Sequence, residues 1–371
     1  MKGIGIILAG DGNNRRLGKL TETRATSAMP VGSCYRCIDF SLSNMANSGI
    51  GKVAVITQYN SRSLHDHLSS SKWWDLGRKQ GGLFIFSPYL SDDNSYWYRG
   101  TADSIFQNIT YLKRSNEPFV VITNGNSIHK MDYNEVIEFH VEKEADITIA
   151  YSRVRDEDDI RQYGVMEFDE TGRVIEFEEK PLEPQSNYVS LGVYVIARTL
   201  LIKLLESINA EGRYELAQDV FMRYRKRLRI FGYHHNSYWR TINSIRTYYD
   251  SNIDFLQKNI RDLFSREYPF TETKPKDEPP AKYNIGANVV DSLAGSGSIL
   301  NGSVQRSILF RKIYTGEESL IKNSIVMDGC YIGNHCLVEN AILDKEVVLS
   351  DGKQIIGQGD EPIIITKRTV L

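Results

Sequence analysis

Two arginines and two glycines cluster where the first apolar run ends: Leu8-Ala9-Gly10 opens into Asp11-Gly12-Asn13-Asn14-Arg15-Arg16-Leu17. Glycine lets a backbone approach an anion and arginine supplies charge, so the loop reads as a phosphate cradle at a strand's carboxyl end, where open α/β sheets hold ligands. It is not a P-loop, because the Gly-Lys-Ser/Thr ending is missing, and Arg15 stands where a dinucleotide fingerprint needs its third glycine. Asp11 would repel a phosphate, and a solvated basic turn explains these residues equally well. A second segment, Trp97-Tyr98-Arg99-Gly100-Thr101-Ala102-Asp103, predicts a glycine turn into a helix capped by Thr101 with Asp103 in its first turn. Tyr98 could stack on a base or sugar, or simply belong to an aromatic core. In Glu178-Glu179-Lys180-Pro181 an acid and a base stand before a proline that ends a strand. Lys180 suits a sugar phosphate and Glu179 the sugar hydroxyls, with a surface ion pair as the plainer account. Cys34-x-x-Cys37 is half of a zinc pattern without a second pair nearby, and His65/His67 and His234/His235 lack the i,i+4 spacing of a metal site. No metal is assigned to this chain.

These residues need a scaffold, and 371 residues with 41% hydrophobic content can build more than one core. Lys plus Arg is 45 against 47 for Asp plus Glu, which excludes the basic excess of a dedicated nucleic-acid binder. The early apolar run, residues 4–9, is too short for a membrane span and has no signal-peptide layout, so a cytoplasmic protein is expected. Four cysteines in a chain of this size fit a reducing compartment. Short apolar runs at 4–9, 53–57, 83–86, 119–123, 147–151 and 191–196 alternate with helix-like spacing at 40–48, 102–113, 133–143, 199–207 and 244–257. That alternation predicts a layered α/β domain with a mostly parallel sheet. Runs at 164–168 and 174–177 straddle Asp169-Glu170-Thr171-Gly172 and predict an appended hairpin. Pro269, Pro275, Pro279 and Pro280 mark residues 265–283 as a linker between a domain at 1–264 and another at 284–371. Beyond it, Ser307-Ile308-Leu309, Ser324-Ile325-Val326 and Ala341-Ile342-Leu343 recur every 17 residues. Short β-branched rungs of this kind predict a parallel β-helix, with Ile308, Ile325 and Ile342 filling its interior.

Taken in order, the motifs resemble the sugar-nucleotide pyrophosphorylases, and within them bacterial glucose-1-phosphate adenylyltransferase. The resemblance spans nearly the whole chain. It rests on Ile7-Leu8-Ala9-Gly10, residues 17–21, Ile38-Asp39-Phe40-Ser41-Leu42-Ser43-Asn44, Asn47-Ser48-Gly49-Ile50, Val55-Ile56-Thr57-Gln58-Tyr59, residues 97–103, Tyr163-Gly164-Val165, Glu179-Lys180-Pro181 and Tyr238-Trp239-Arg240. It implies a doubly wound, Rossmann-like nucleotidyltransferase domain followed by a left-handed parallel β-helix, in a tetramer. By position it places Tyr98, Gly164, Glu179, Lys180 and Ser190 around glucose 1-phosphate, and Gly10, Gly12, Arg15 and Arg16 in the phosphate loop.

The departures from that family carry as much weight. Its catalytic members hold magnesium with two aspartates, one in Ala-Gly-Asp-His and one in Trp-Arg-Asp-Val-Gly; here the matching positions are Asn126 and Thr241. The Gly-Gly-x-Gly-x-Arg-Leu loop is one residue longer, loses its paired glycines and gains Asp11, and the lysine of Arg-Ala-Lys-Pro is Thr26. The position of a lysine that aids activator binding in enteric relatives holds Thr23. The pattern is similar to the D-type companion subunit of some Gram-positive bacteria. It implies a non-catalytic, regulatory chain without a cofactor of its own, joined to a catalytic subunit that carries the magnesium, in a heterotetramer, with glucose 1-phosphate or an effector as possible ligand. Two other readings stand beside it: an active nucleotidyltransferase recruiting metal through Asn126 or Asp103, and a β-helix scaffold or acyltransferase using His335.

Overall fold

The computed structural model describes residues 2–10, 15–77, 81–89, 97–154 and 159–371. The chain divides into two compact units, one formed by residues 1–12 and 40–241, the other by residues 13–39 and 242–371.

In the first unit the apolar runs become one nine-stranded sheet. Its main path is Val174–Glu179, Gly164–Phe168, Tyr188–Ala197, Phe119–Asn124, Gly3–Ala9, Lys52–Thr57 and Gly82–Phe86; Ile147–Arg153 branches from Tyr188–Ala197, and Ile230–His234 pairs with Ile147–Arg153. The strands Gly3–Ala9, Lys52–Thr57, Phe119–Asn124 and Gly82–Phe86 run parallel. Tyr188–Ala197 reverses direction against Phe119–Asn124 and Ile147–Arg153, so the sheet is mixed, more antiparallel than the apolar runs alone suggest. Ile4, Ile6, Val120, Ile122, Ile147 and Ile149 are buried to 1% exposure or less, which is why these segments read as continuous apolar runs. The expected 102–113 helix is two, Thr101–Gln107 and Ile109–Lys113. Asn108 breaks it, its side-chain amide donating to Ser104 O at 2.8 Å and to Tyr98 Oη at 2.9 Å. Asparagine competes for backbone and neighbouring acceptors in this way wherever a helix falters.

In the second unit the repeats form three five-stranded parallel sheets, the signature of a β-helix. Ile308, Ile325 and Ile342 stack in register, as the 17-residue spacing requires. Their direction corrects the expectation. Leu309, Val326 and Leu343 fill the interior with Leu300, Val304, Ile321 and Val338. Period-two alternation then turns the isoleucines outward. They are buried all the same, because other residues of this unit dock on the coil. Tyr249 donates to Asn323 O at 2.9 Å, Arg311 to Cys34 O at 2.8 Å, and Arg24 to Met327 Sδ and Asp344. The proline-rich stretch is tied down in the same way, Thr273 donating to Asp39 and Thr271 N to Phe264 O. None of the four cysteines is in a disulfide; Cys330 and Cys336 lie inside the coil, and the Cys34 thiol is pushed up to about 11 by burial. Among the described residues no helix is long and apolar enough to cross a membrane.

Candidate functional site

The central strand Phe119–Asn124 ends in a tight turn, Gly125 N donating to Leu8 O at 2.8 Å, and the chain returns as Ser127–His129. That short strand pairs antiparallel with Trp239–Thr241, Thr241 opposite Ser127 and Trp239 opposite His129. Two positions 115 residues apart in sequence, Asn126 and Thr241, therefore meet at one corner of the sheet. Thr241 Oγ1 lies 3.2 Å from Ser127 Oγ in a hydrogen bond. A hard divalent cation needs anionic oxygens, and this corner offers an amide and two hydroxyls, the hydroxyls already bound to each other. Among the described residues no group of three histidines, cysteines or carboxylates could hold a metal ion. The donor set does not fit magnesium.

Asp103 does not replace the missing acids. It is 1% exposed, and its carboxylate takes Arg99 Nη2 at 2.7 Å, Arg99 N at 2.9 Å and Gln107 Nε2 at 2.7 Å. Thr101, expected as the cap, is the first helical residue; Gly100 precedes it as the cap residue. The Thr101 hydroxyl instead donates to Glu215 and accepts from Leu216 N. A side chain on Gly100 would meet Tyr214 O at 2.4 Å, so this helix can begin here only with glycine. Arg99 also lies over the Tyr214 ring, 3.8 Å from its centroid. Tyr98 is buried, its hydroxyl bound to Asn108, its backbone gripped on both sides by the Gln58 amide at 3.0 and 3.3 Å. Its neighbour Trp97 stacks on Tyr59 at 5.5 Å with both rings exposed.

Four of the five residues expected around glucose 1-phosphate, Gly164, Glu179, Lys180 and Ser190, lie on the hairpin side. Gly164 is in register with Glu179, and a Cβ there would stand 3.1 Å from Glu179 Oε2. Lys180 adopts a left-handed backbone, φ 52°, donates its N–H to Tyr163 O, and places its ammonium 3.4 Å from Glu179. It is the exposed member, 64% against 25% for Glu179. Val189 pairs with Val165, bringing Ser190 beside this hairpin, where its hydroxyl bonds Tyr194 at 3.3 Å. Burial raises the Tyr194 phenol, the Ser190 hydrogen bond opposes that, and the Glu179 charge adds to it. Ser190 sits at a register shift containing Gly192, φ 70°, where any side chain would overlap Asn124 Nδ2 at 2.2 Å.

The loop residues divide. Gly10 follows the first strand, which ends at Ala9; Asp11 and Gly12 lie outside the described residues, as does the Arg15 side chain. Arg16 is exposed. Thr26 is buried in a 3-10 turn of the second unit, its carbonyl accepting from Met29 N. His335 projects from a turn of the coil and pairs with Glu318, both exposed.

Sequence reasoning did not find a buried imidazole pair behind the corner. His129 and His235, rings 6.5 Å apart, are buried, and His129 bonds the Tyr133 hydroxyl at 3.2 Å. The His129 pKa falls to about 3, from burial first and His235 second; His235 is lowered mainly by burial. His129 is neutral when folded but takes up a proton near pH 6.5 when unfolded, so its contribution to stability is full above about pH 6.5 and declines toward pH 3; His235, lowered likewise, acts in the same direction. At pH 5 the loss from His129 alone is expected at roughly 2 kcal/mol. Thermal melts at pH 7.5 and 5 check this: the His129→Leu variant should show a smaller drop between the two pH values than the parent chain.

With this geometry in hand, comparison with known proteins defines the class first. The Nucleotidyl transferase family model matches residues 4–258, and the GlmU-like, C-terminal hexapeptide model matches residues 279–362, in agreement with a left-handed β-helix. The chain is 36% identical over 355 residues to glucose-1-phosphate adenylyltransferases of Bacillus thuringiensis (strain Al Hakam), Bacillus cereus (strain Q1) and Bacillus anthracis, covering 95% of this chain and 94% of each relative. It belongs to the glucose-1-phosphate adenylyltransferase family.

Proposed function

We propose that this chain is a regulatory, non-catalytic subunit that assembles in the cytoplasm with a catalytic glucose-1-phosphate adenylyltransferase, the enzyme that makes ADP-glucose and diphosphate from ATP and glucose 1-phosphate for glycogen synthesis. The observation that carries the reading is the Ser127–Thr241 hydrogen bond beside Asn126. Attack of a sugar phosphate on a nucleotide α-phosphorus needs charge stabilisation at the transferring group, and each preorganised group removed costs about 100- to 1,000-fold. Here the two hydroxyls at that corner are neutral and bound to each other, beside the neutral Asn126 amide. The fold itself is intact, which suits a chain retained for assembly. A subunit of this kind acts by binding one conformation of its catalytic partner in preference to another. The partner would contribute the magnesium, and the complex would be a heterotetramer. The direct test is the purified chain alone with ATP, glucose 1-phosphate and magnesium: ADP-glucose formation at a rate typical of enzymes, about 1 per second or more, would overturn the reading.

The hairpin side keeps the residue types a sugar phosphate uses. Lys180 supplies an exposed ammonium, and Glu179 and Ser190 supply hydroxyl partners. Weak glucose 1-phosphate binding is the expected result by calorimetry, falling about tenfold in Lys180→Ala, with ATP binding weaker still. Binding indifferent to Lys180 would make the Glu179–Lys180 pair merely structural.

A further inference from the structure

Away from the nucleotidyl corner, the first unit holds a cavity of about 640 Å³ between the strand Gly82–Phe86 and the helix Ile109–Lys113. Its size falls in the range of small-molecule sites. Three rings form its apolar wall: Phe84 and Phe86 each meet Tyr111 edge-on, with centroids 5.6 Å apart. Two cations, Lys52 and Arg114, belong to the lining, and among the described residues no carboxylate does. The Lys52 ammonium rests 5.0 Å from the Tyr111 centroid and donates to the neutral Ser115 hydroxyl at 2.6 Å. Among the described residues neither cation is in a salt bridge, although Lys113, beside Arg114, is paired with Glu206. By contrast Arg223, Arg225 and Arg229 each have acidic partners, Glu211 for the first, Glu176 for the second, and Glu144 with Asp146 for the third. A cavity that retains two uncompensated cations beside three rings suits a ligand with the complementary pair of properties.

We infer that this cavity binds a small organic anion made of a planar ring and a carboxylate or phosphate, the ring against Phe84, Phe86 and Tyr111 and the anion on Arg114 and Lys52. Rings stack on aromatic walls, and the guanidinium fork accepts either anion in bidentate fashion. The cavity also touches the Tyr98 segment. Asn108 lines it and donates to Tyr98 Oη, and Gln107 lines it and donates to Asp103. Because Asn108 separates two helices, a ligand that re-aims its amide moves Tyr98 with it.

The test uses the full chain and 1-naphthoate as probe, with 1-naphthalenemethanol as the uncharged ring and inorganic phosphate as the ringless anion. Calorimetry is expected to give naphthoate at least a tenfold advantage over each control, since a charge-assisted bond and a stacked ring each contribute that much. Arg114→Gln should weaken naphthoate about tenfold, and Thr110→Trp, at an exposed lining position, should weaken it at least as much by intruding on the cavity. Unaltered melting of both variants shows that the fold is kept. Fluorotyrosine labelling, with the Tyr98 resonance assigned by Tyr98→Phe, should show that resonance shift on naphthoate addition. Equal affinity for naphthoate and naphthalenemethanol, or naphthoate binding untouched by Thr110→Trp, overturns the site. A stationary Tyr98 resonance at saturation overturns the link through Asn108. Neither result bears on whether the chain is catalytic.

Discussion

Restoring both acids, Asn126→Asp with Thr241→Asp, is expected to leave the chain at least a thousandfold slower than a catalytic relative. The double variant supplies the charges that a magnesium ion requires at the corner where the two short strands meet. It also breaks the Thr241–Ser127 hydrogen bond and sets two carboxylates near each other until a cation arrives. On the proposed reading two further departures from the family pattern remain: a loop one residue longer, carrying Asp11, and Thr26 at the position of a lysine. Each missing preorganised group costs about 100- to 1,000-fold, and groups acting as a unit do not add simply, so repairing one of them returns little. Steady-state ADP-glucose formation by the double variant measures this. Turnover within tenfold of a catalytic subunit would mean that the metal site was the sole defect and that the loop and Thr26 are tolerated.

Breaking the Arg24–Asp344 pair should destabilise the second unit more than any surface change, by about 3–5 kcal/mol for Arg24→Ala. The two side chains are 5% and 4% exposed and 2.6 Å apart, and Arg24 also donates to Met327 Sδ. Removing one partner strands a charge away from water, whereas removing both does not. Arg24→Met combined with Asp344→Leu should therefore recover most of the loss. Urea unfolding of the two single variants and the double distinguishes this from ordinary truncation. A double variant as unstable as the sum of the singles would show that packing, not the stranded charge, dominates.

What the sequence disclosed follows from the range over which each signal acts. Buried parallel strands betray themselves as apolar runs because both faces are covered, so Gly3–Ala9, Lys52–Thr57 and Phe119–Asn124 were legible. The 17-residue repeat announced which residues stack, since register is a matter of spacing. It carried no information about which face points inward, and that is why Ile308 and Leu309 exchange the expected roles. The helix break at Asn108 depends on one side-chain amide reaching Tyr98, a contact no periodicity encodes. The docking of residues 13–39 within the second unit rests on partners 320 positions apart, Arg24 and Asp344, and nothing local marks either. In the candidate site, residue types at Asn126 and Thr241 were readable, whereas their closure through Ser127 needed the strand pairing. The buried His129–His235 pair was invisible for the same reason.

The measurement that bears most directly on a regulatory, non-catalytic chain is reconstitution with the catalytic adenylyltransferase of the same organism. The two chains are purified separately and mixed, and size-exclusion mass and ADP-glucose formation are followed together. The account predicts no ADP-glucose from this chain alone, a mixed complex of defined mass, and a catalytic rate or substrate affinity that changes when the complex forms. Full activity of the chain by itself, or a catalytic subunit whose mass and kinetics are the same with and without it, would contradict the account.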